Sequence, residues 1–305
     1  MTSLAALARN AGGATVVLTD SGLGGLLICA DLERRLRGTA GAGPVRLVYV
    51  NAWPDAHHGY NDLPDMGARA AVFDRALAAM TAVHPDLLLI ACNTLSVVYE
   101  ATAFSRAPSV PVTGILDEGT AFFAEALGSD PTSLLALIGT RTTIGSGEHV
   151  RRLAQRGIGP ERIVAEACHG LAAAIDKDPD SPAVPGLVDE CTGRIALRLP
   201  ARGPLYAGLA CTHYGYVAEV FRASLIRHTG RTVEILDPGE RLVDSLTGGL
   251  TSPRPGARPG PVSVQVVSKV ALADAQRQAV ARRLEPLSPA TASALLRYEH
   301  RPDLF

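Results

Sequence analysis

GLACTHYGY, residues 208–216, and IACNTLS, residues 90–96, are built alike. In each, a short apolar run stops at a cysteine and polar residues follow at once: Cys211-Thr212-His213-Tyr214 in one, Cys92-Asn93-Thr94 in the other. An apolar run closed by a polar turn and followed by a helical pattern reads as a buried parallel strand. Working outward, the unit recurs. TVVLT (15–19) runs into Asp20-Ser21-Gly22, and LLALIG (134–139) runs into Thr140-Arg141-Thr142-Thr143. Further strands are predicted at RLVYV (46–50), LLLIA (87–91), VPVTGI (110–115), RIVAEA (162–167), LYAGLA (205–210) and VEILD (233–237). Helical periodicity lies near 23–37, 67–83, 117–127, 146–156, 185–198, 216–228 and 239–247. Such alternation specifies a parallel α/β architecture. TSPRPGARPGP (251–261) reads as a loop, VSVQVVSKV and ALADAQRQAVARRL as a last strand and helix, and the stretch ending in HRPDLF carries no signal.

The chain has 305 residues, room for two domains of ordinary size. It is 47% hydrophobic and 19% charged, a compact rather than a disordered composition. A net charge of −1 announces no nucleic-acid surface. The longest apolar runs are of strand length, so no membrane partner is expected, and residues 1–14 lack the pattern of a signal peptide. Five cysteines (29, 92, 168, 191 and 211) make an odd count in a long chain. That argues against disulfide stapling and for a reducing cytoplasm. With no CxxC pair and no HExxH, no metal site is expected.

Function collects at the strand ends. In open parallel sheets ligands bind beyond the carboxyl ends, where helix N-termini present free N–H groups, so four polar strand ends predict a site for an anion. Ser21 precedes Cys92 by 71 positions, and Thr140 precedes Cys211 by the same 71. The match suggests a weak internal duplication, with two lobes bringing Cys92 and Cys211 to opposite walls of one cleft. A thiol pair flanking a carbon acid can invert it: one thiolate takes a proton from one face while the other thiol delivers one to the opposite face. Asp20 stands as helper for Cys92 and His213 for Cys211. Backbone N–H groups and the hydroxyls of Ser21, Thr94, Thr140, Thr143 and Thr212 are candidates to hold a carboxylate and the developing charge. Singly, each feature has a plainer reading: a cysteine filling a core, Asn-Thr capping a helix, a packing histidine, a glycine-rich turn at DSGLGG. Cys29, Cys168 and Cys191 are read as structural. The joint occurrence in matching places favours chemistry.

At DSGLGG (20–25), ACNTLS (91–96), TRTTIGS (140–146), ACTHYG (210–215) and ILDPGE (235–240) the chain resembles the glutamate racemase family, within the cofactor-independent aspartate/glutamate racemase superfamily. The resemblance runs in order over about 15–247. It implies an α/β fold of two pseudosymmetric parallel-sheet lobes with the active site in the cleft between them, one lobe formed by 1–104 plus 217–305 and the other by 105–216. It implies Cys92 and Cys211 as acid/base thiols, acting on the D- and L-face respectively and assisted by Asp20 and His213. Asp20, Ser21, Asn93, Thr94, Thr212 and His213 would contact substrate. No cofactor is implied, pyridoxal phosphate included.

The chain departs from the family pattern at residues 51–60. There His58 stands at the position of a substrate-touching tyrosine, Gly59 matches, and Tyr60 follows Gly59 instead of preceding it. ACHGLAAAID (167–176) also departs, as do Ala210, Gly215 and the tail after 251. His57, His58 and His169 are candidates for a modified pocket or for plain loop positions. The expected activity is therefore racemisation of an amino acid, with glutamate favoured. Alternatives are another racemase, isomerase or decarboxylase of a small amino acid or dicarboxylate, or a non-catalytic acid-binding paralogue. The sequence leaves the oligomeric state open, a homodimer being the assembly considered.

Overall fold

The computed structural model describes Leu4, Leu7, residues 12–37, Thr39, residues 43–248, Leu250 and residues 261–305. Apart from Pro261, the loop read at 251–261 lies outside the described residues, as does most of 1–14.

Two wholly parallel sheets carry the chain. The first has the order β10-β9-β2-β1-β3-β4, with β1 Ala14–Asp20, β2 Val45–Asn51, β3 Leu87–Ile90, β4 Val112–Gly114, β9 Val262–Ser268 and β10 Glu299–His300. The second has the order β6-β5-β7-β8, with β5 Leu134–Gly139, β6 Ile163–Ala167, β7 Leu205–Ala210 and β8 Val233–Leu236. Alternating side chains of β1 go to opposite faces. Val16 and Leu18 enter one core and Val17 another. Because both faces are covered, the strands read as unbroken apolar runs rather than as alternation. The core that takes Val16 and Leu18 also takes Ala136 and Ile138 from β5, so one apolar body continues beneath both sheets.

The repeated spacing is a register. β1 pairs with β3 so that Thr19 faces Ile90, and β5 pairs with β7 so that Gly139 faces Ala210. In both sheets, therefore, a hydroxyl-rich turn lies beside a cysteine turn at the carboxyl end of two adjacent strands.

The helices are α1 Leu26–Arg37, α2 Met66–Thr81, α3 Asn93–Tyr99, α4 Ile115–Gly128, α5 Arg141–Gly145, α6 Glu148–Gln155, α7 Leu171–Lys177, α8 Ala183–Ala196, α9 Ala218–Thr229, α10 Pro238–Thr247, α11 Asp274–Leu284 and α12 Pro289–Leu296. Among the described residues, none is long and apolar enough to cross a membrane.

Strand pairing differs from the expected partition of the chain. Val112–Gly114 pairs with β3, so the first sheet runs past 105. Val233–Leu236 pairs with β7, so the chain is still in the second sheet well beyond 217. A β7–α9–β8 crossover of short loops sets the next strand beside the last, and the chain rejoins the first sheet at β9. The tail, silent in sequence, forms α12 and β10, and Leu304 and Phe305 pack on the core.

The cysteines bring a second correction. Cys168, just after β6, is disulfide-bonded to Cys191 on α8, with Cα atoms 5.5 Å apart. An odd count is compatible with one bridge. The pairing depends on α8 lying back against β6, which the spacing along the chain does not disclose. Cys29, Cys92 and Cys211 are free and buried. Denatured without reductant, the protein is expected to titrate three thiols, and five after reduction. Five at the outset would remove the bridge.

Candidate active site

The DSGLGG loop is pressed into the second lobe. A Cβ at Gly24 would stand 2.5 Å from Thr212 Oγ1 and 2.7 Å from the His213 backbone nitrogen, and one at Gly22 would stand 2.8 Å from Asp176 Oδ1. Only glycine permits that approach. The Tyr49 hydroxyl fixes the loop by donating to the Gly22 carbonyl at 2.6 Å. Asp20, fully buried at the end of β1, accepts a hydrogen bond from Thr212 Oγ1 at 2.7 Å.

Cys92 caps α3, its Sγ accepting from the Leu95 N–H at 3.5 Å. Ser21 Oγ lies 3.4 Å from the same sulfur. Burial, then the neighbouring Asp20 charge, push the Cys92 thiol well above its usual range, and the hydrogen bonds from Ser21 and Leu95 only partly oppose them. Cys92 therefore rests as a thiol at neutral pH.

Cys211 sits differently. Its Sγ is 3.8 Å from His213 Nδ1, and His213 Nε2 is 2.7 Å from Asp176 Oδ1. Gln276, on α11, donates to the other Asp176 oxygen at 2.7 Å, and the Leu23 N–H donates to Oδ1 at 2.7 Å. Burial alone would lower His213. The bond to Asp176 and the proximity of Cys211 overcome it and hold the imidazole well above its ordinary range. The result is a chain Cys211–His213–Asp176–Gln276 that keeps a proton beside the sulfur.

A cavity of about 130 Å³ opens between the lobes, and both Cys92 and Cys211 line it. Of the residues expected to bind substrate, Asp20, Ser21, Gly59, Asn93, Thr94, Thr140, Thr212 and His213 line the same cavity. Thr143 stands behind this wall: Thr94 Oγ1 is 2.9 Å from Thr140 Oγ1 and 3.0 Å from Thr143 Oγ1, a hydroxyl cluster that joins the lobes. His58 is a correction. It points to solvent, 61% of its side chain exposed, with Nδ1 3.2 Å from Asp55 Oδ1, and is absent from the cavity wall. Asp55 accepts the His57 and His58 N–H groups, and the turn so formed leads both rings outward. Trp53, Gly59 and Tyr60 make the wall instead, and His169 lies on the rim.

Sequence reasoning missed Asp176, Trp53 and Arg141. Asp176 ends the ACHGLAAAID segment, whose departure from the pattern was the available signal. Three buried polar atoms of cavity residues have no protein partner: Asp20 Oδ1, Tyr60 Oη and Asn93 Nδ2. Leaving such a group unpaired costs about 1–3 kcal/mol. Asp20 Oδ1 is an acceptor, Asn93 Nδ2 a donor and Tyr60 Oη either, so these cavity residues keep hydrogen-bonding capacity for a polar ligand. No group of three or more His, Cys, Asp or Glu side chains able to hold a metal occurs among the described residues.

Comparison with known proteins identifies the family. The family model described as Asp/Glu/Hydantoin racemase matches residues 23–246. A glutamate racemase of Dinoroseobacter shibae is 30% identical over 293 residues, covering 88% of this chain and 98% of that protein. One from Jannaschia sp. is 31% identical over 255 residues, covering 76% and 83%. The crystal structure of a glutamate racemase isoform from Bacillus anthracis superposes with a TM-score of 0.67 at 20% identity, covering 90% of this chain and 94% of that one.

Asp176→Asn removes the carboxylate that raises His213, so the His213 midpoint followed by NMR is expected to fall. The raised value stabilises the fold fully below the unfolded histidine pKa of about 6.5 and ceases to do so as pH rises through the folded value. The stability difference between wild type and variant, about 2 kcal/mol for a charge-assisted bond, is therefore largest near pH 6 and shrinks on the alkaline side. An unmoved midpoint counts against the relay. His58→Ala, at an exposed position, is expected to leave KM within about twofold.

Proposed function

This chain belongs to the Asp/Glu/hydantoin racemase family, and from that membership we propose that it racemises an amino acid by two-base proton transfer between Cys92 and Cys211, with glutamate the first candidate. The observation that carries the reading is one cavity with a free thiol from each sheet on its wall, at matching strand ends. The unpartnered atoms support the amino-acid class. Asp20 Oδ1 offers an acceptor for an ammonium group, and Asn93 Nδ2 and Tyr60 Oη offer donors to a carboxylate.

In the L-to-D direction Cys211 takes the α-proton. The Cα–H bond breaks, an S–H bond forms, and the electron pair delocalises into the carboxylate. Cys92, resting as a thiol, gives its proton to the opposite face and becomes a thiolate. The reverse direction exchanges the roles. His213 holds a proton beside the Cys211 sulfur, and the Ser21 hydroxyl beside Cys92 offers a hydrogen bond to the thiolate formed there. Donors in a water-poor cavity stabilise the developing enediolate more strongly than bulk water does. Substrate identity turns on the wall built by Trp53, Gly59 and Tyr60, in a loop that departs from the family pattern, so aspartate and neutral amino acids belong beside glutamate in the first screen.

Incubated in deuterium oxide with either enantiomer, the enzyme is expected to place deuterium at Cα of the product. Cys92→Ser and Cys211→Ser are each expected to lose at least about a thousandfold in racemisation while retaining the circular-dichroism spectrum. Wild-type turnover by either variant would falsify the two-base scheme.

A further inference from the structure

His149 is a buried histidine that the proposed reaction leaves without a task. It lies on α6 in the second lobe, 1% exposed, with Nε2 3.1 Å from Asn93 Oδ1. Asn93 opens α3 in the first lobe, immediately after Cys92, and lines the cavity. Two atoms of the pair have no partner, Asn93 Nδ2 and His149 Nδ1. The helices that carry the two residues are fastened together. Arg152, one turn past His149, bonds to Glu148 on its own helix, to Glu100 at the end of α3, and to Asp117 on α4.

The direction of the His149–Asn93 hydrogen bond decides what the cavity sees. Burial, with the nearby Arg152 charge acting in the same sense, lowers His149 to about 4. The ring is neutral in working conditions and carries one N–H. With the proton on Nε2, His149 donates to Asn93 Oδ1 and both protons of Nδ2 remain for the cavity. With the proton on Nδ1, the carboxamide would turn over to donate to Nε2, and its carbonyl oxygen would take the unpaired place that Nδ2 holds. That arrangement leaves an acceptor where a carboxylate-bearing ligand needs a donor.

We propose that His149 is a positioning residue: from the second lobe, its Nε2–H locks the Asn93 carboxamide so that Nδ2 is presented as a donor to a carboxylate of the substrate. The inference rests on the amino-acid reading of the cavity. It makes the donor a joint product of the two lobes, since Asn93 is oriented only while α6 packs on α3.

The test compares His149→Leu, which removes the donor at similar size, with His149→Gln, which keeps a side-chain N–H. In Cα exchange with the best amino acid, His149→Leu is expected to raise KM about tenfold with kcat within about threefold, and His149→Gln to recover most of the loss. A fall in kcat at unchanged KM, or equal effects of Leu and Gln, overturns the proposal. Nitrogen-15 NMR of histidine-labelled wild-type enzyme reads the tautomer without any variant. Protonation at Nε2 is expected, and protonation at Nδ1 overturns the proposal even if His149→Leu does not fold. Absence of Cα exchange with every amino acid would instead fail the racemase reading. Calorimetric binding of glutamate to wild type and His149→Gln, together with the tautomer, would then decide the role of His149 separately.

Discussion

Asp20 is a carboxylate with no exposed surface, seated at the carboxyl end of a central strand, and the way its two oxygens are treated organises the cleft. Oδ2 takes the Thr212 hydroxyl from the other lobe. Oδ1 takes nothing from the protein. An ionised carboxylate removed from water costs several kcal/mol unless it is fully paired, and an ordinary hydrogen bond returns only about 1 kcal/mol of that. The first bond therefore ties the lobes, and the open oxygen stores an unmet demand in the cavity. The same negative charge raises the Cys92 thiol. One buried group thus joins the sheets, prepares a site for a cationic function and holds a sulfur in its acid form.

The glycines of the DSGLGG loop follow from this constraint. Asp20 reaches Thr212 only if the loop behind it lies against the backbone of the opposite turn. Methyl groups at Gly22 or Gly24 would collide with Asp176, Thr212 and His213. Both Asp20 and Asp176 then sit on cross-lobe bonds, Asp176 receiving Leu23 from the first lobe and Gln276 from α11. Thr94 with Thr140 and Thr143 adds a neutral contact, and His149 with Asn93 another. Bonds between the lobes thus add to those within each lobe in holding the site.

Much of this was legible in the sequence because parallel strands buried on both faces write themselves as apolar runs, and the polar residues that end them stand out. Asp20, Cys92, Thr140 and Cys211 stand out for that reason, and the spacing of 71, read as a duplication, is the same strand offset in both sheets. What failed had a different physical basis. Placing His58 in the pocket assumed that loop 51–60 follows a template without gaps, but the turn closed by Asp55 rotates both histidines to solvent and leaves Gly59 and Tyr60 inside. The Cys168–Cys191 pair depends on how α8 packs back on β6, and the role of Asp176 on how α7 packs against the turn 212–217, long-range facts that strand and helix patterns do not disclose. Likewise the run VEILD was read correctly as a strand, but which sheet accepts it is decided by tertiary pairing.

The fold is nearly symmetric, and the surroundings of its two thiols are not. Cys92 has a hydroxyl, a helix N–H and a carboxylate; Cys211 has an imidazole held charged by a carboxylate that an amide supports. In the proposed reaction one sulfur acts as acid while the other acts as base, and each has its own set of neighbours for the task. The proposed transfer to and from carbon moves negative charge from one wall of the cavity to the other. Asp20 opposes that charge on the Cys92 side, while His213 welcomes it on the Cys211 side. An ammonium group bound at Asp20 Oδ1 would reduce this opposition at the moment substrate enters. In the proposed reaction the substrate itself thus completes the electrostatic balance between the two sulfurs, and the cavity without it holds Cys92 as an acid and waits.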